Sequence, residues 1–109
     1  MDYSKMSDFE INKRVLEAKS GFSALSYPHD ADKRSCGHKD INGNYHWFDF
    51  CNDPADAWPI ITGNMIALIP SSLKDGRWAA QAEDWDYAHS SEKPLRAAMI
   101  VYLQLQDAK

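Results

Sequence analysis

The segment from Pro94 to Leu105 is apolar around most of its girth, and it restricts the fold more than any other stretch. Pro94 suits the first position of a helix, where a missing N–H costs nothing. Leu95, Ala98, Met99, Tyr102 and Leu105 then form one stripe, and Ile100, Val101 and Leu103 make the opposite side apolar too. Such a helix has to be covered on more than one side, by the domain's own elements or by a second copy of the chain. A chain of 109 residues has little surface to spare, so the expectation is a homo-oligomer with this helix in or near its interface.

Two further helices have clear start signals. Ser7-Asp8-Phe9-Glu10 is a capping box, with Met6 and Ile11 placed as a hydrophobic staple. The helix it opens should run to about Lys19, with Ile11, Val15 and Ala18 on one stripe and Gly21 as the stop. In the middle, Asp53 can cap a helix that starts on Pro54 and stops on a left-handed Gly63, although the internal Pro59 should kink it or keep it short.

Between the helices the strand signals are local. Tyr45 to Phe50 is a β-rich run after an Asn42-Gly43 turn, with Tyr45, Trp47 and Asp49 on one face and His46, Phe48 and Phe50 on the other. Met65 to Ile69 reads as a buried strand whose antiparallel partner returns over Arg77 to Ala82 after Asp75-Gly76. Residues 20–44 read as a long loop with a short strand at Phe22 to Tyr27, and residues 83–93, with Trp85, Tyr87 and His89, as a polar loop carrying aromatics that is expected near any binding cleft. The expected class is α+β in a single domain, residues 1–109: three helices with a small, largely antiparallel sheet, layered as an α/β/α sandwich.

Composition excludes several functions. The net charge of -4 is opposed to duplex nucleic acid as the main ligand, since backbone binding needs a concentrated basic face. No apolar run is long enough to span a bilayer, and Met1-Asp2-Tyr3-Ser4-Lys5 lacks the apolar core of a secretory signal. A cytosolic protein with reduced Cys36 and Cys51 is expected, without a cofactor.

Four constellations could carry chemistry. Cys36, His38, His46 and Cys51 have the residue types of a zinc site but not its usual spacing, so no metal is expected there. Asp49, Asp53 and Asp56 could hold magnesium, yet capping already accounts for Asp53 and Asp56. A nucleophilic Cys51 would need a partnering histidine that no motif supplies, and a core thiol is the preferred reading. No catalytic residues are therefore assigned, and the chain is read as a non-enzyme. The fourth set consists of Trp78, Trp85, Tyr87, Arg77, Arg96 and Asn52, aromatics and cations of the kind that stack a purine and hold a phosphate. Trp58 and Trp78 are read as core by preference, with Trp85 and Tyr87 the better candidates for ligand contact.

The chain also resembles the NinX-like family of small phage and prophage proteins. The residues carrying the resemblance are 6–15 (MSDFEINKRV), 49–61 (DFCNDPADAWPII) and 94–103 (PLRAAMIVYL). The family pattern would place an asparagine before Pro94, where this chain has Lys93. The resemblance implies a phage accessory protein of the host cytoplasm, similar to phage domains with an α/β/α sandwich, and supplies no catalytic residues. Two partner classes follow as expectations. One is a host nucleotide signal, sequestered by a non-catalytic sponge. The other is a host protein bound by an adaptor, with a metal-dependent nucleic-acid enzyme ranked behind both.

Overall fold

The computed structural model describes residues 2–71, 73 and 75–109. After a short 3-10 helix at Tyr3–Lys5, the elements run α1 (Asp8–Ser20), β1 (Cys36–Lys39), β2 (Tyr45–Phe48), α2 (Pro54–Gly63), β3 (Ala67–Pro70), β4 (Trp78–Ala82), β5 (Tyr87–Ser91) and α3 (Pro94–Asp107). The fold is α+β, with three helices and antiparallel strands as expected, and the strands divide into a β1-β2 hairpin and a β3-β4-β5 sheet.

Seven successive residues of α3, Ala97 to Leu103, are buried, so every side of the helix is covered. The cover comes from within the chain: β3, β4 and β5 pack against α3, and so do α1 and α2. The apolar girth that suggested a second copy is satisfied by the domain's own elements. Phe50, Ile11, Met99 and Ile100 are the largest apolar side chains with almost no exposure, and they mark the centre of the core.

The caps explain the helix boundaries. Ser7 Oγ accepts the Glu10 N–H at 3.1 Å, and Gly21 closes α1 in the left-handed conformation at φ 77°. Asp53 caps α2 by accepting the Ala55 N–H at 2.9 Å. Gly63 is not the left-handed residue after α2, as the sequence led us to expect. The helix runs through Gly63, Asn64 caps it, and Met65 takes the positive φ of 52° instead. Pro59 lies inside α2 without ending it.

Four strand assignments need correction, the first being Met65 to Ile69, read as a buried strand: β3 is Ala67–Pro70, an edge strand whose Ile69 and Pro70 are exposed, and Met65 lies outside it. Phe22 to Tyr27 is not a strand; the segment that pairs with β2 is Cys36–Lys39, whose Cys36, Gly37 and His38 lie opposite Phe48, Trp47 and His46. β2 ends at Phe48, short of Phe50, because Asp49 to Asn52 turn into α2. Residues 83–93 contain β5, in which Tyr87 pairs with Ala82 and Ser91 with Trp78. Small polar residues there concealed an edge strand, since only alternate side chains of β5 are half-buried.

Gly37 marks a close approach. A Cβ there would lie 2.6 Å from Trp47 Cε3, so the ring of Trp47 occupies the space a side chain would need. Gly37→Ala should force the ring or the hairpin to move and cost about 1–3 kcal/mol, read as a lower urea midpoint. An unchanged midpoint would show that Trp47 shifts freely.

Candidate anion cleft

Two helix starts and the end of a strand meet at one place on the surface. The segment before α1 contributes Ser4, Met6 and Ser7, and α1 contributes Asp8; β5 and its exit contribute His89, Ser90, Ser91, Glu92 and Lys93; α3 contributes Arg96; Arg77 closes the side. Together they line a cleft of about 430 Å³. The positive ends of α1 and α3 both lie at this cleft, where an anion is favoured.

Each cation has a defined role. Arg96 is a clamp: its guanidinium donates to Asp8 Oδ1 at 2.8 Å and to the Met6 carbonyl at 2.6 Å, with longer contacts to the Ser4 and Tyr3 carbonyls. Lys93 donates its ammonium to Asp8 Oδ2 and makes no side-chain cap on α3. At the N-cap position of α3 this chain thus places a cation on the cleft wall. Arg77 is exposed, steadied by Nε on Ser90 Oγ at 3.2 Å and Nη2 on the Ser90 carbonyl at 2.9 Å. His89 is half-buried, and its imidazole is pushed below the ordinary histidine range by burial and then by Arg96 and Arg77. Burial is the larger cause and the two guanidinium groups add to it.

Behind the cleft lies a buried polar network that connects it to the domain's interior. Asp8 also accepts from Asn52 Nδ2 at 3.0 Å, and the same amide group donates to Asp49 Oδ1 at 2.9 Å. Asp49 further accepts from Asn12 Nδ2 at 3.0 Å and from Arg34 Nε at 2.6 Å. Asn12 is fully buried; it donates to the Arg34 carbonyl and accepts the Cys51 N–H at 3.0 Å. Although burial alone would raise Asp8, hydrogen bonds from Lys93, Asn52 and Arg96 hold its carboxyl below the usual range. Among the described residues no buried side-chain nitrogen or oxygen lacks a partner.

The structure brings together only part of the set read from the sequence. Arg77 and Arg96 line the same cleft, and Asn52 stands behind it. Trp85 and Tyr87 belong to the other end of the β4-β5 hairpin, four residues and about 13 Å along the strands from the Trp78–Ser91 pair. Tyr87 is half-buried against the core, Trp78 is half-buried, and Trp85 is exposed. Trp58, read as core, is instead 60% exposed on α2.

The remaining constellations have structural explanations. Cys36 and Cys51 are buried free thiols; burial pushes Cys36 up to about 12 and Cys51 higher still, which is unfavourable for a thiolate nucleophile. His38 and His46 stack with centroids 5.4 Å apart on the hairpin, and His46 Nε2 contacts Asp40 at 2.8 Å. Asp56 accepts the Asp49 N–H, so Asp49, Asp53 and Asp56 are each engaged by protein donors. Among the described residues no three His, Cys, Asp or Glu side chains are grouped to hold a metal ion.

Sequence reasoning did not single out His89, Lys93, Asp8 or Asn12, although the first two fall in the 83–93 stretch expected near any binding cleft. The available signal was Asn12, an amide beside Ile11 on a helix whose other buried positions, Val15 and Leu16, are apolar. A polar residue on a core-facing stripe calls for a buried partner.

Fold and cleft together define a small α+β protein with a surface groove lined by Arg77, Lys93 and Arg96, and no described helix is long and apolar enough to cross a membrane. The family model described as "Bacteriophage P22, NinX" matches residues 2–106, and the chain belongs to that family. No curated protein matches it.

Proposed function

We propose that this phage protein is an accessory factor that binds and sequesters a small phosphate-bearing host signal, a nucleotide second messenger, without turning it over. The observation that carries the reading is the convergence of Arg77, His89 and Lys93 with the starts of α1 and α3 on one cleft of about 430 Å³. This volume suits a small ligand, and guanidinium, ammonium and hydroxyl donors suit phosphate oxygens. Trp85 and Tyr87 stand at the far end of the hairpin and do not reach this cleft.

The test mixes the purified protein with cyclic dinucleotides and cyclic ADP-ribose isomers, removes it by filtration, denatures it and analyses what is released. Intact nucleotide is the expected product, and cleaved nucleotide would restore an enzyme. Arg77→Ala should weaken retention by about tenfold or more, since it removes a charged donor pair. In the free protein His89 is pushed down by burial and then by the arginines, so an anion in the cleft should raise its NMR titration midpoint. A midpoint that ignores a retained nucleotide would place the ligand elsewhere.

A further inference from the structure

At the opposite end of the β4-β5 hairpin from Arg77, the turn that closes the hairpin needs left-handed backbone at its central residues, and the chain supplies it without a glycine. Among the described residues five non-glycine residues have positive φ, and four of them meet here: Met65 at 52°, Glu83 at 54°, Asp84 at 55° and Trp85 at 73°. The Ala82–Tyr87 pair leaves residues 83–86 as the connecting loop, which contains no glycine. Left-handed backbone costs a non-glycine residue about 1–2 kcal/mol, so glycine would be the economical choice at each position. The result is that Trp85 is 55% exposed and Met65 86% exposed. The Trp85 N–H on Gln81 Oε1 at 3.0 Å and the Asp86 N–H on the Glu83 carbonyl at 3.2 Å hold the loop in this form.

Chemistry at this end favours a cation. Gly63, Asn64, Met65, Gln81, Glu83 and Asp84 line a hollow of about 500 Å³ and include carboxylates but no basic side chain. The negative end of α2 lies on the same hollow, and the last turn of α2 carries no basic residue to offset it. Beside the hollow, Trp85 offers an aromatic face to a cation and Met65 a soft apolar contact.

We propose that this end of the sheet docks a basic segment of a partner protein, a lysine or arginine flanked by apolar residues. The cation enters the hollow against Glu83, Asp84 and the α2 carboxyl end, while the flanking apolar groups cover Trp85 and Met65. Strain at a binding loop is consistent with this role, because a site can hold its contact residues in costly conformations. The surface is separate from the anion cleft, and neither reading depends on the other.

The probe is a ten-residue peptide of alternating lysine and leucine, titrated into the full chain and followed by amide NMR shifts and calorimetry. Shifts should appear at Met65 and residues 83–86. Trp85→Gly and Glu83→Lys should each weaken binding by about tenfold, a typical effect for a central contact. Asp84→Gly should raise the thermal midpoint, because glycine adopts the left-handed backbone freely. Arg77→Ala should leave peptide binding unchanged. The proposal is overturned if the peptide fails to bind, if a glutamate-leucine peptide binds equally well, if both binding variants match the unmodified protein, or if Asp84→Gly lowers the midpoint.

Discussion

Asn12→Leu is expected to remove about 3–5 kcal/mol of folding stability, enough to lower the thermal midpoint by more than about 10 °C. The side chain is fully buried and joins three partners: it donates to the Arg34 carbonyl and to Asp49, and it accepts the Cys51 N–H. Leucine is close in volume, so the site stays filled. What is lost is polar satisfaction: the Cys51 N–H and one side of the Asp49 carboxylate would face an apolar group. Domains of this size have about 5–15 kcal/mol in total, so the variant would sit near the edge of folding. A urea midpoint equal to that of the unmodified protein would show that water replaces the amide without loss.

Asp8→Ala should cost about 2–4 kcal/mol near neutral pH, because it leaves Arg96 and Asn52 without their carboxylate and frees Lys93. The effect depends on pH in a defined direction. Asp8 is held below the usual carboxylate range in the folded chain, so its stabilisation is complete above the unfolded value near 4 and is lost as pH falls through the folded value. The gap in urea midpoint between the unmodified protein and Asp8→Ala should therefore narrow below about pH 4. A gap of constant size would mean that the contacts stabilise through shape and not charge. Removing the carboxylate also leaves the cleft more positive, so a retained nucleotide should bind the variant more tightly.

Local chemistry in the sequence was a good guide to the helices. The Ser7 capping box, the Asp53 cap and Pro94 each act within a few residues, and the structure uses all three. Strand pairing depends on distant partners, which explains why Cys36–Lys39 and Tyr87–Ser91 escaped notice. Cys-Gly-His-Lys and Tyr-Ala-His-Ser-Ser have little β character, and it is pairing with Tyr45–Phe48 and Trp78–Ala82 that makes them strands. The same limit applies to the cleft. Arg77 and Arg96 were recognisable as cations, but the Asp8 carboxylate that Arg96 shares with Lys93 lies 88 positions from Arg96 in the chain. Only the fold makes Asp8, His89 and Lys93 neighbours.

The position of α3 has a consequence for how the molecule comes into being. It is the last of the eight α and β elements in chain order, yet it packs against every other helix and all three strands of the larger sheet. While the chain is being synthesised, α1, α2 and the sheet lack the surface they close upon until residues beyond Pro94 have left the ribosome. Cooperative folding must wait for that moment, and the contacts then formed span long sequence separations, which slows the search for the native state. The earlier segments spend this interval with apolar faces uncovered, open to chaperones and to neighbouring nascent chains. The rate at which active protein accumulates should follow the release of α3 more closely than the synthesis of any residue in the cleft.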